Sequence, residues 1–271
     1  MTETGFCKVH GGRIYYEVDG SGPELTLIHA GVANLRQWDE QVPVLAADHR
    51  VIRYDTRNFG HTTSDNVTFS NREDLFALLD HLGVAKTAVL GLSRGGSIAV
   101  DFTLEHPDRV SALIAVAAGL GGFEAPVPAD EQALWEEYER RYEAKDWDWI
   151  IDTETAFWVD GPRQPSDRVP SAIRQRVHEW IAEAYRDHGA EELTALPLEP
   201  PAAGRLGEIE MPTLSWLATS TRARRSRRAA SSPPTSPTRA SRCSRGWPTW
   251  SISSSRSASC AWSATSSPMS A

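Results

Sequence analysis

The stretch that decides the fold is Val89-Leu90-Gly91-Leu92-Ser93-Arg94-Gly95-Gly96. An apolar run, Thr87 to Leu92, leads into it, and a helix-forming stretch, Gly96 to His106, follows at once. This order predicts a strand, a tight turn and a helix, with the Ser93 hydroxyl clear of the sheet. A serine placed there can attack a carbonyl carbon, and the backbone N–H of Arg94 can bind the resulting oxyanion. The alternative is an ordinary strand-to-helix turn, because turns rich in small residues are common.

Length and charge limit the kind of protein this can be. The 271 residues fit one large α/β domain, or such a domain with an inserted cap. A net charge of −8 at pH 7 argues against a nucleic acid partner. No run of about 18 apolar residues occurs, so we expect no membrane span and no membrane partner. The sequence carries no information on the oligomeric state.

The N-terminus and the cysteines bear on the compartment. Residues 1–5 lack the basic-then-apolar pattern of a signal peptide. Cys7, Cys243 and Cys260 form neither a disulfide framework nor a metal-ligand spacing. These features predict a cytoplasmic protein.

The first 120 residues alternate between strand and helix signals. Cys7 to Val18 is predicted to be a hairpin that turns at Gly11-Gly12. Ser70-Asn71-Arg72-Glu73 is a capping box that opens a helix ending at Gly83. Strands that are apolar on both faces and alternate with helices indicate a mostly parallel sheet with helices on both faces. The predicted buried strands are Leu25–Ile28, Arg50–Tyr54, Thr87–Leu92 and Val110–Val116.

Residues 121–203 have a different character. Gly and Pro mark their start, and two amphipathic helices are predicted, at about Asp130 to Trp149 and Ser171 to His188. Some of the five tryptophans here are candidates to line a cleft under a cap; the alternative is that they form the core of the cap itself. These tryptophans are Trp135, Trp147, Trp149, Trp158 and Trp180.

Four features in order along the chain resemble the α/β-hydrolase superfamily. They are the early hairpin, Leu27-Ile28-His29-Ala30-Gly31, Tyr54-Asp55-Thr56-Arg57-Asn58-Phe59-Gly60, and the Gly91–Gly95 turn. The strongest likeness is to small cofactor-free hydrolases that include enol-lactonases, esterases and haloperoxidase-like proteins. The resemblance implies an α/β-hydrolase core over residues 1–120, a helical cap over 121–203, and the rest of the core over 204–271. It implies no metal and no organic cofactor.

The resemblance also implies the roles of the site residues. Ser93 would be the nucleophile, and the N–H groups of Gly31 and Arg94 would form the oxyanion hole. The family usually has Gly where this chain has Ala30, a change that backbone donors tolerate. The implied substrate is a small apolar ester, thioester or lactone. Haloperoxidase-like chemistry and C–C bond hydrolysis remain alternatives, because in this family they use the same three catalytic residues: a serine nucleophile, a histidine base and an acid.

Two further elements have implied positions. His29 is expected to be a structural loop residue rather than a base. The Asp55–Gly60 loop is expected to shape the pocket floor.

The acid and base that should activate Ser93 are missing at their expected positions. Met211 to Leu214 resembles the strand that precedes the acid, and the histidine should follow near the C-terminus. All 36 acidic residues lie at or before Glu210, and all eight histidines lie at or before His188. The last 60 residues are rich in Ser, Ala and Pro, with nine arginines and no lysine. This tail has a different composition from the rest of the chain.

One hypothesis is that the tail is translated out of frame from about residue 215. Codons for Ser215 to Thr221, regrouped from their third base, can encode Val-Ala-Gly-Asp-Leu-Asp, the strand and acid motif of the family. In the same phase, codons for Trp247 to Trp250 can encode Ala-His-Leu, a context typical of the family's histidine. One base deleted near the Leu214 codon accounts for both.

Two alternatives for the tail stay open: a genuine low-complexity segment, or a basic nucleic-acid-binding segment. The functional hypotheses are correspondingly two. The first is a serine hydrolase, and the second is a non-catalytic binding protein or an inactive product.

Overall fold

A computed structural model of the chain describes residues 2–123, 128–187 and 193–216. The predicted hairpin is present as strands β1 (Glu3–Val9) and β2 (Gly12–Asp19), which pair antiparallel. The later strands are β3 (Glu24–Ile28), β4 (Arg50–Tyr54), β5 (Thr63–Ser64), β6 (Thr87–Leu92), β7 (Val110–Val116) and β8 (Thr213–Trp216).

These eight strands form one mixed sheet in the order β1-β2-β4-β3-β6-β7-β8, with β5 paired to β2 outside this path. The strands from β4 to β8 in that order pair parallel, and the pairings of β2 are antiparallel. The prediction of a mostly parallel sheet is therefore confirmed. The carboxyl ends of β3, β4 and β6 lie side by side, which brings the loops that follow them to one edge of the sheet.

The two faces of the sheet carry separate apolar clusters because neighbouring residues on a strand point to opposite faces. On β3, Ile28 belongs to the cluster packed by α2 (Asn71–His81) and α3 (Arg94–Glu105). Leu27 belongs to the other cluster, which includes Trp38 and also Val42, the first residue of the short helix α1 (Val42–Leu45). Both side chains are fully buried, so β3 is apolar on both faces as predicted.

Residues 128–187, here called the helical insertion, contain the three α-helices that the described residues place between β7 and β8. They are α4 (Ala129–Glu143), α5 (Trp147–Glu154), which continues into a π-helical turn (Thr155–Asp160), and α6 (Ser171–Asp187). The insertion packs onto the core through Ile151, Ile181 and Val32, the residue after Gly31. Among the described residues no helix is both long and apolar enough to cross a membrane.

The prediction of one helix from Asp130 to Trp149 was wrong. The helix breaks because Lys145 adopts a left-handed conformation with φ 56°. The N–H of Asp146 donates to the Arg141 carbonyl and that of Lys145 to the Tyr142 carbonyl, each at 3.0 Å. These two hydrogen bonds form a Schellman motif, which usually has Gly at the left-handed position. Because Lys145 occupies that position, the sequence pattern does not indicate the helix end.

Strand β8 reaches into the region suspected to be out of frame. Ser215 pairs with Ala115 and Trp216 with Val116, and all four residues of β8 are exposed. Strand pairing uses backbone groups, so it does not test which side chains the natural frame encodes. The rest of the tail, residues 217–271, lies outside the described residues and includes Cys243 and Cys260. His188 also lies outside the described residues. Cys7 is a buried free thiol.

Candidate active site

Ser93 occupies the sharp turn between β6 and α3. Its backbone is left-handed, with φ 53° and ψ −118°, a conformation that costs a non-glycine residue about 1–3 kcal/mol. The Ser93 N–H donates to the carbonyl of Val116 at 2.8 Å, which ties the turn to β7. A serine before a helix ordinarily caps it, yet the Ser93 side chain makes no capping hydrogen bond. Its hydroxyl is unengaged by any described residue.

The glycines of the turn are required by close backbone packing. A Cβ on Gly91 would lie 2.1 Å from the Gly95 carbonyl oxygen. A Cβ on Gly95 would lie 2.4 Å from the carbonyl oxygen of Ile28 and 2.5 Å from that of His29. Helix α3 therefore starts in direct contact with the end of β3, which brings the loop after β3 beside Ser93.

The loop after β3 carries Gly31, the predicted second oxyanion donor. Its Cα is close to Arg94, since a Cβ on Gly31 would meet the Arg94 Cδ at 3.3 Å. Within the described ranges, neither the Gly31 N–H nor the Arg94 N–H donates to an acceptor. Free backbone donors near a strained serine are groups of the kind that can stabilise a tetrahedral oxyanion.

His29 is a structural residue of this loop. It is fully buried, and burial, with a smaller contribution from the nearby Arg94 cation, lowers its pKa to about 3. Its Nδ1 donates to the Ala30 carbonyl at 2.7 Å, and its Nε2 accepts from the N–H and hydroxyl of Thr56, each at 3.1 Å. A neutral imidazole engaged at both nitrogens cannot take a proton from Ser93 at neutral pH. The expectation that His29 is not the base is therefore supported.

The Arg94 side chain carries a positive charge beside the turn. Its Nη1 donates to the Thr56 hydroxyl at 2.7 Å, and its guanidinium lies 5.0 Å from the ring centroid of Phe59. Burial lowers the Arg94 pKa to about 10, so the group stays charged at neutral pH. No carboxylate among the described residues forms an ion pair with it.

Asp55 anchors both loops at this edge. Its carboxylate accepts from the N–H of Leu35 at 2.8 Å and from the N–H of His61 at 2.9 Å. Burial raises its pKa to about 6, against the opposing effect of these two hydrogen bonds. One side chain thus joins the segment after Gly31 to the Asp55–Gly60 loop.

A cavity of about 300 Å³ lies between this edge of the sheet and the helical insertion. Asn58 and Phe59 lie on its wall, as expected for the Asp55–Gly60 loop. Ser93 itself is not on the wall, although its neighbours Gly31 and Arg94 are. The core side is lined by Gly31, Arg57, Asn58, Phe59, Phe69 and Arg94. The other side is lined by Tyr142, Glu154, Ile181, Ala184, Tyr185, Leu193 and Ala195.

The expectation that some of the five tryptophans line a cleft under the cap is wrong for this cavity. Its described lining includes no tryptophan, and Arg94 and Glu154 make it partly polar. Trp135 packs with Phe157 and Trp158, and Trp147 stacks on Tyr185 at 5.4 Å between ring centroids. These three tryptophans contact aromatic side chains within the insertion rather than the cavity, and Trp158 is exposed, so not all of them belong to the core of the insertion.

Sequence reasoning missed a polar cluster on the insertion side. The Tyr138 hydroxyl donates to Glu154 Oε1 at 2.6 Å, and the Tyr185 hydroxyl donates to the same oxygen at 2.7 Å. Burial raises the pKa of Glu154. Each tyrosine has a raised pKa as well, because it is itself buried and because it lies next to the Glu154 charge. No motif announces the cluster, because its members come from three different helices.

No described histidine hydrogen-bonds to Ser93. Outside the loop that carries His29, histidines contact the backbone or side chains elsewhere; for example, His81 lies 3.2 Å from the Tyr16 hydroxyl. His178 lies 3.2 Å from Asp152 on the exposed side of the insertion. The described part of the chain therefore supplies the turn, the backbone donors and the cavity, without a base for Ser93.

One group of potential metal ligands occurs among the described residues, formed by Glu73, Glu105 and His106. The Arg72 Nε already donates to Glu105 Oε2 at 2.6 Å, so a cation neutralises that carboxylate. The group lies at the far end of α3, about 18 Å along the helix from Ser93. It has no part in the chemistry at the turn.

Comparisons with known proteins agree with this architecture. The model of the family described as alpha/beta hydrolase fold matches residues 23–263. A 2-hydroxy-6-oxononadienedioate/2-hydroxy-6-oxononatrienedioate hydrolase from Pseudomonas putida is 32% identical over 226 residues, 77% of each chain. A soluble epoxide hydrolase from Corynebacterium sp. (strain C12) is 33% identical over 110 residues, 40% of this chain but only 38% of that protein.

A solved structure supports the fold. The enol-lactonase from Burkholderia xenovorans LB400 superimposes with a TM-score of 0.60 over 78% of this chain and 80% of its own. Its sequence identity is 21%, so the likeness concerns the fold alone.

Proposed function

Because the chain belongs to the α/β-hydrolase family, and the two relatives reported above are hydrolases, we propose that its natural form is a serine hydrolase of esters, thioesters or lactones. Ser93 is the nucleophile, and the N–H groups of Gly31 and Arg94 form the oxyanion hole. Residues 1–120 and 204–271 form the core, and residues 121–203 act as a cap. No metal or organic cofactor takes part.

The reaction proceeds by acyl transfer to Ser93. The Ser93 oxygen attacks the carbonyl carbon while a base takes its proton, and the carbonyl oxygen becomes an oxyanion held by the two backbone donors. The carbonyl re-forms as the leaving group departs with a proton. Water then attacks the acyl-enzyme, which releases the acid and restores the Ser93 hydroxyl.

The observation that carries the proposal is the left-handed Ser93 with an unengaged hydroxyl at a strand-to-helix turn. A strained conformation persists only where the surrounding structure enforces it, and such residues cluster at active sites. An ordinary strand-to-helix turn gains nothing from a strained serine, because a glycine at that position would adopt the same backbone conformation without strain. The nearby backbone donors and the cavity support an oxyanion hole with room for a substrate beside it.

The acid and base belong to the C-terminal part of the core in this proposal. The out-of-frame hypothesis supplies an aspartate and a histidine there, in the order along the chain that this fold uses. With these present, the family's complete triad is available. The chain as written would then have lost them.

A second candidate function follows from the lack of a base at Ser93 in the described residues. In this alternative the chain is a non-catalytic binding protein or an inactive product. Any remaining hydrolysis would come from the oxyanion donors and binding alone, roughly 10³–10⁴ over the rate in water.

The first test is to sequence the coding DNA across the Leu214 codon and to produce both proteins, the chain as written and the frame-restored chain. Hydrolysis of 4-nitrophenyl butyrate is measured for each, with Ser93→Ala as the matched control. We expect the frame-restored chain to be active and its Ser93→Ala variant to fall by at least about 10³-fold. A fluorophosphonate probe should label the peptide that contains Ser93.

The outcomes separate the two candidates. Activity in the restored chain alone identifies the chain as written as an inactive product of a serine hydrolase gene. A DNA sequence that confirms the tail, with no Ser93-dependent hydrolysis or labelling, overturns the serine hydrolase proposal and leaves the binding protein.

A further inference from the structure

The two sides of the cavity differ in chemical character. The core side presents hydrogen-bond donors, namely the N–H of Gly31 and the cation of Arg94. The insertion side presents the Glu154 carboxyl group and the Tyr185 hydroxyl. A ligand that spans the cavity therefore meets the Arg94 cation at one end and the Glu154 carboxyl group at the other.

The proton count at the Glu154 cluster defines what it still accepts. Both phenolic protons point to Glu154 Oε1, from Tyr138 at 2.6 Å and from Tyr185 at 2.7 Å. The two phenolic oxygens lie only 2.9 Å apart. Because both phenolic protons are donated to Glu154, this contact places the lone pairs of the two oxygens against each other. Glu154 Oε2 has no hydrogen-bond partner among the described residues. The open positions of the ionised cluster are therefore all acceptors.

Arg94 and Glu154 line the same cavity without pairing to each other. Arg57, the other cation on the wall, is already neutralised by Asp74 through hydrogen bonds of 2.7 and 2.8 Å. Among the described lining residues, the charges left for a ligand are thus one cation on the core side and one carboxylate on the insertion side. Because buried charges are costly when unpaired, each favours a ligand group of complementary polarity.

We propose that Glu154 and Tyr185 form a recognition site for a hydrogen-bond-donating group on the substrate, an ammonium or a hydroxyl, at the end remote from the scissile carbonyl. This inference rests on the proposed function for the orientation of the substrate, whose carbonyl lies at the oxyanion donors. The substrate is then polar at its far end, rather than apolar throughout. Ammonium is favoured over hydroxyl because its hydrogen bonds to a carboxylate are charge-assisted.

A purely structural role for the cluster is the competing explanation. Tyr138, Glu154 and Tyr185 come from α4, α5 and α6, so their hydrogen bonds also join the three helices. The two roles differ at Tyr138, which donates to Glu154 but does not line the cavity. A structural role makes all three residues equivalent, whereas recognition depends on Glu154 and Tyr185.

The test uses three ketones of nearly equal shape that cannot be hydrolysed: 4-(aminomethyl)acetophenone, 4-(hydroxymethyl)acetophenone and 4-ethylacetophenone. Their affinities for the full chain are measured at pH 8 by ligand-observed NMR titration. We expect the ammonium compound to bind on the order of tenfold more tightly than the ethyl compound, and the hydroxyl compound about threefold more tightly. Binding needs no base at Ser93, so failure of catalysis does not affect this result.

Variants assign the preference to its residues. Glu154→Gln keeps an acceptor for the tyrosines but removes the charge, and should reduce the ammonium affinity to that of the ethyl compound. Asp152→Asn removes an exposed carboxylate of the same helix and should change nothing. Tyr138→Phe should keep most of the preference, and thermal denaturation of each variant measures the structural contribution separately.

Four results of the binding experiments would overturn the inference. They are equal affinities for the three ketones, no binding by any of them, a preference that survives in Glu154→Gln, and an equal loss of preference in Tyr138→Phe and Glu154→Gln. Hydrolysis that depends on Ser93 but shows no preference for donor-bearing esters would leave the proposed function intact and reject this inference alone.

Discussion

Two serines stand directly before helices of the core, and the structure uses them in opposite ways. Ser70, before α2, has extended backbone geometry with φ −122° and ψ 122°, and its hydroxyl accepts the N–H of Glu73 at 3.3 Å. Ser93, before α3, is left-handed and caps nothing. The first serine stabilises its helix, while the second is held at a cost in conformational energy. The backbone that the sheet imposes decides which role a serine takes.

The supports of the two turns differ in kind. Ser70 is held by its own hydroxyl and by backbone pairing of Phe69 with residues 194 and 196. Ser93 is held by glycine contacts to the end of β3 and by a hydrogen bond to β7. Changes to packing should therefore damage the Ser93 turn most, and changes to the hydroxyl should damage the Ser70 turn most.

The largest effect is expected for Gly95→Ala. The added methyl group would lie 2.4 and 2.5 Å from two backbone carbonyl oxygens, neither of which can move without disturbing β3. We expect a loss of at least about 3 kcal/mol in the free energy of unfolding, measured by urea denaturation. Gly204→Ala, where nothing lies within 4 Å, is the control and should change stability by less than about 0.5 kcal/mol. Equal, small effects at both sites would contradict the packing argument.

The stability of the Ser93 turn should depend on pH, because the ionisable Asp55 holds the loops beside it. Ser70 caps its helix through a hydroxyl, which does not ionise in this range. Burial raises the Asp55 pKa from 3.8 to about 6, so between these values the folded state binds the proton more tightly than the unfolded state. The Asp55 contribution to stability therefore falls as pH rises from about 4 to 6, by on the order of 2 kcal/mol.

Urea denaturation of the parent and of Asp55→Asn across this range measures that contribution as a difference in slope. The Asn variant lacks the ionisation, so its stability should decline less between pH 4 and 6. Superimposable pH profiles for the two proteins would show that Asp55 ionises normally in the folded state.

Matched alanine substitutions compare the serines directly. Ser70→Ala removes a cap and should cost about 1 kcal/mol in the free energy of unfolding. Ser93→Ala removes no hydrogen bond and leaves the strained φ unchanged, so stability should change by less than about 0.5 kcal/mol. Thermal or urea denaturation of both variants checks this, and a larger loss at Ser93 than at Ser70 would reverse the comparison.

A small effect, of opposite sign to the losses above, is expected for Ser93→Gly. Glycine relieves the strain of the left-handed conformation but increases the entropy of the unfolded chain, so the two contributions oppose each other. We expect a variant that is as stable as the parent or up to about 1 kcal/mol more stable, while it cannot form an acyl-enzyme. A loss of more than about 1 kcal/mol would mean that the turn does not strain Ser93.

Local signals predicted most of the core well. The hairpin, the strands from Leu25 to Val116 and the Ser70 cap all depend on neighbours within a few residues, and all are present. Helix α3 begins at Arg94, two residues earlier than Gly96, because the turn at Ser93 leads straight into helical geometry. Errors of this size are common where a helix end is defined by backbone contacts rather than by composition.

The insertion was predicted less well for a physical reason. Lys145 breaks the first predicted helix in a position where the usual signal is glycine, so the pattern alone could not place the break. The tryptophans pack within the insertion, and which side of a helix faces the cavity depends on where the whole helix sits. Amphipathicity shows that a helix has an apolar face without showing what covers it.

By itself the sequence determined the parallel core and the turn that carries Ser93, because alternation, small residues and capping boxes act over short distances. It also established that the acidic residues and histidines end before the tail. Only the tertiary structure decided that Tyr142, Glu154 and Tyr185 face Gly31 and Arg94 across one cavity. Those side chains come from separate helices and loops, and their meeting depends on how α4, α5 and α6 pack together over the edge of the sheet.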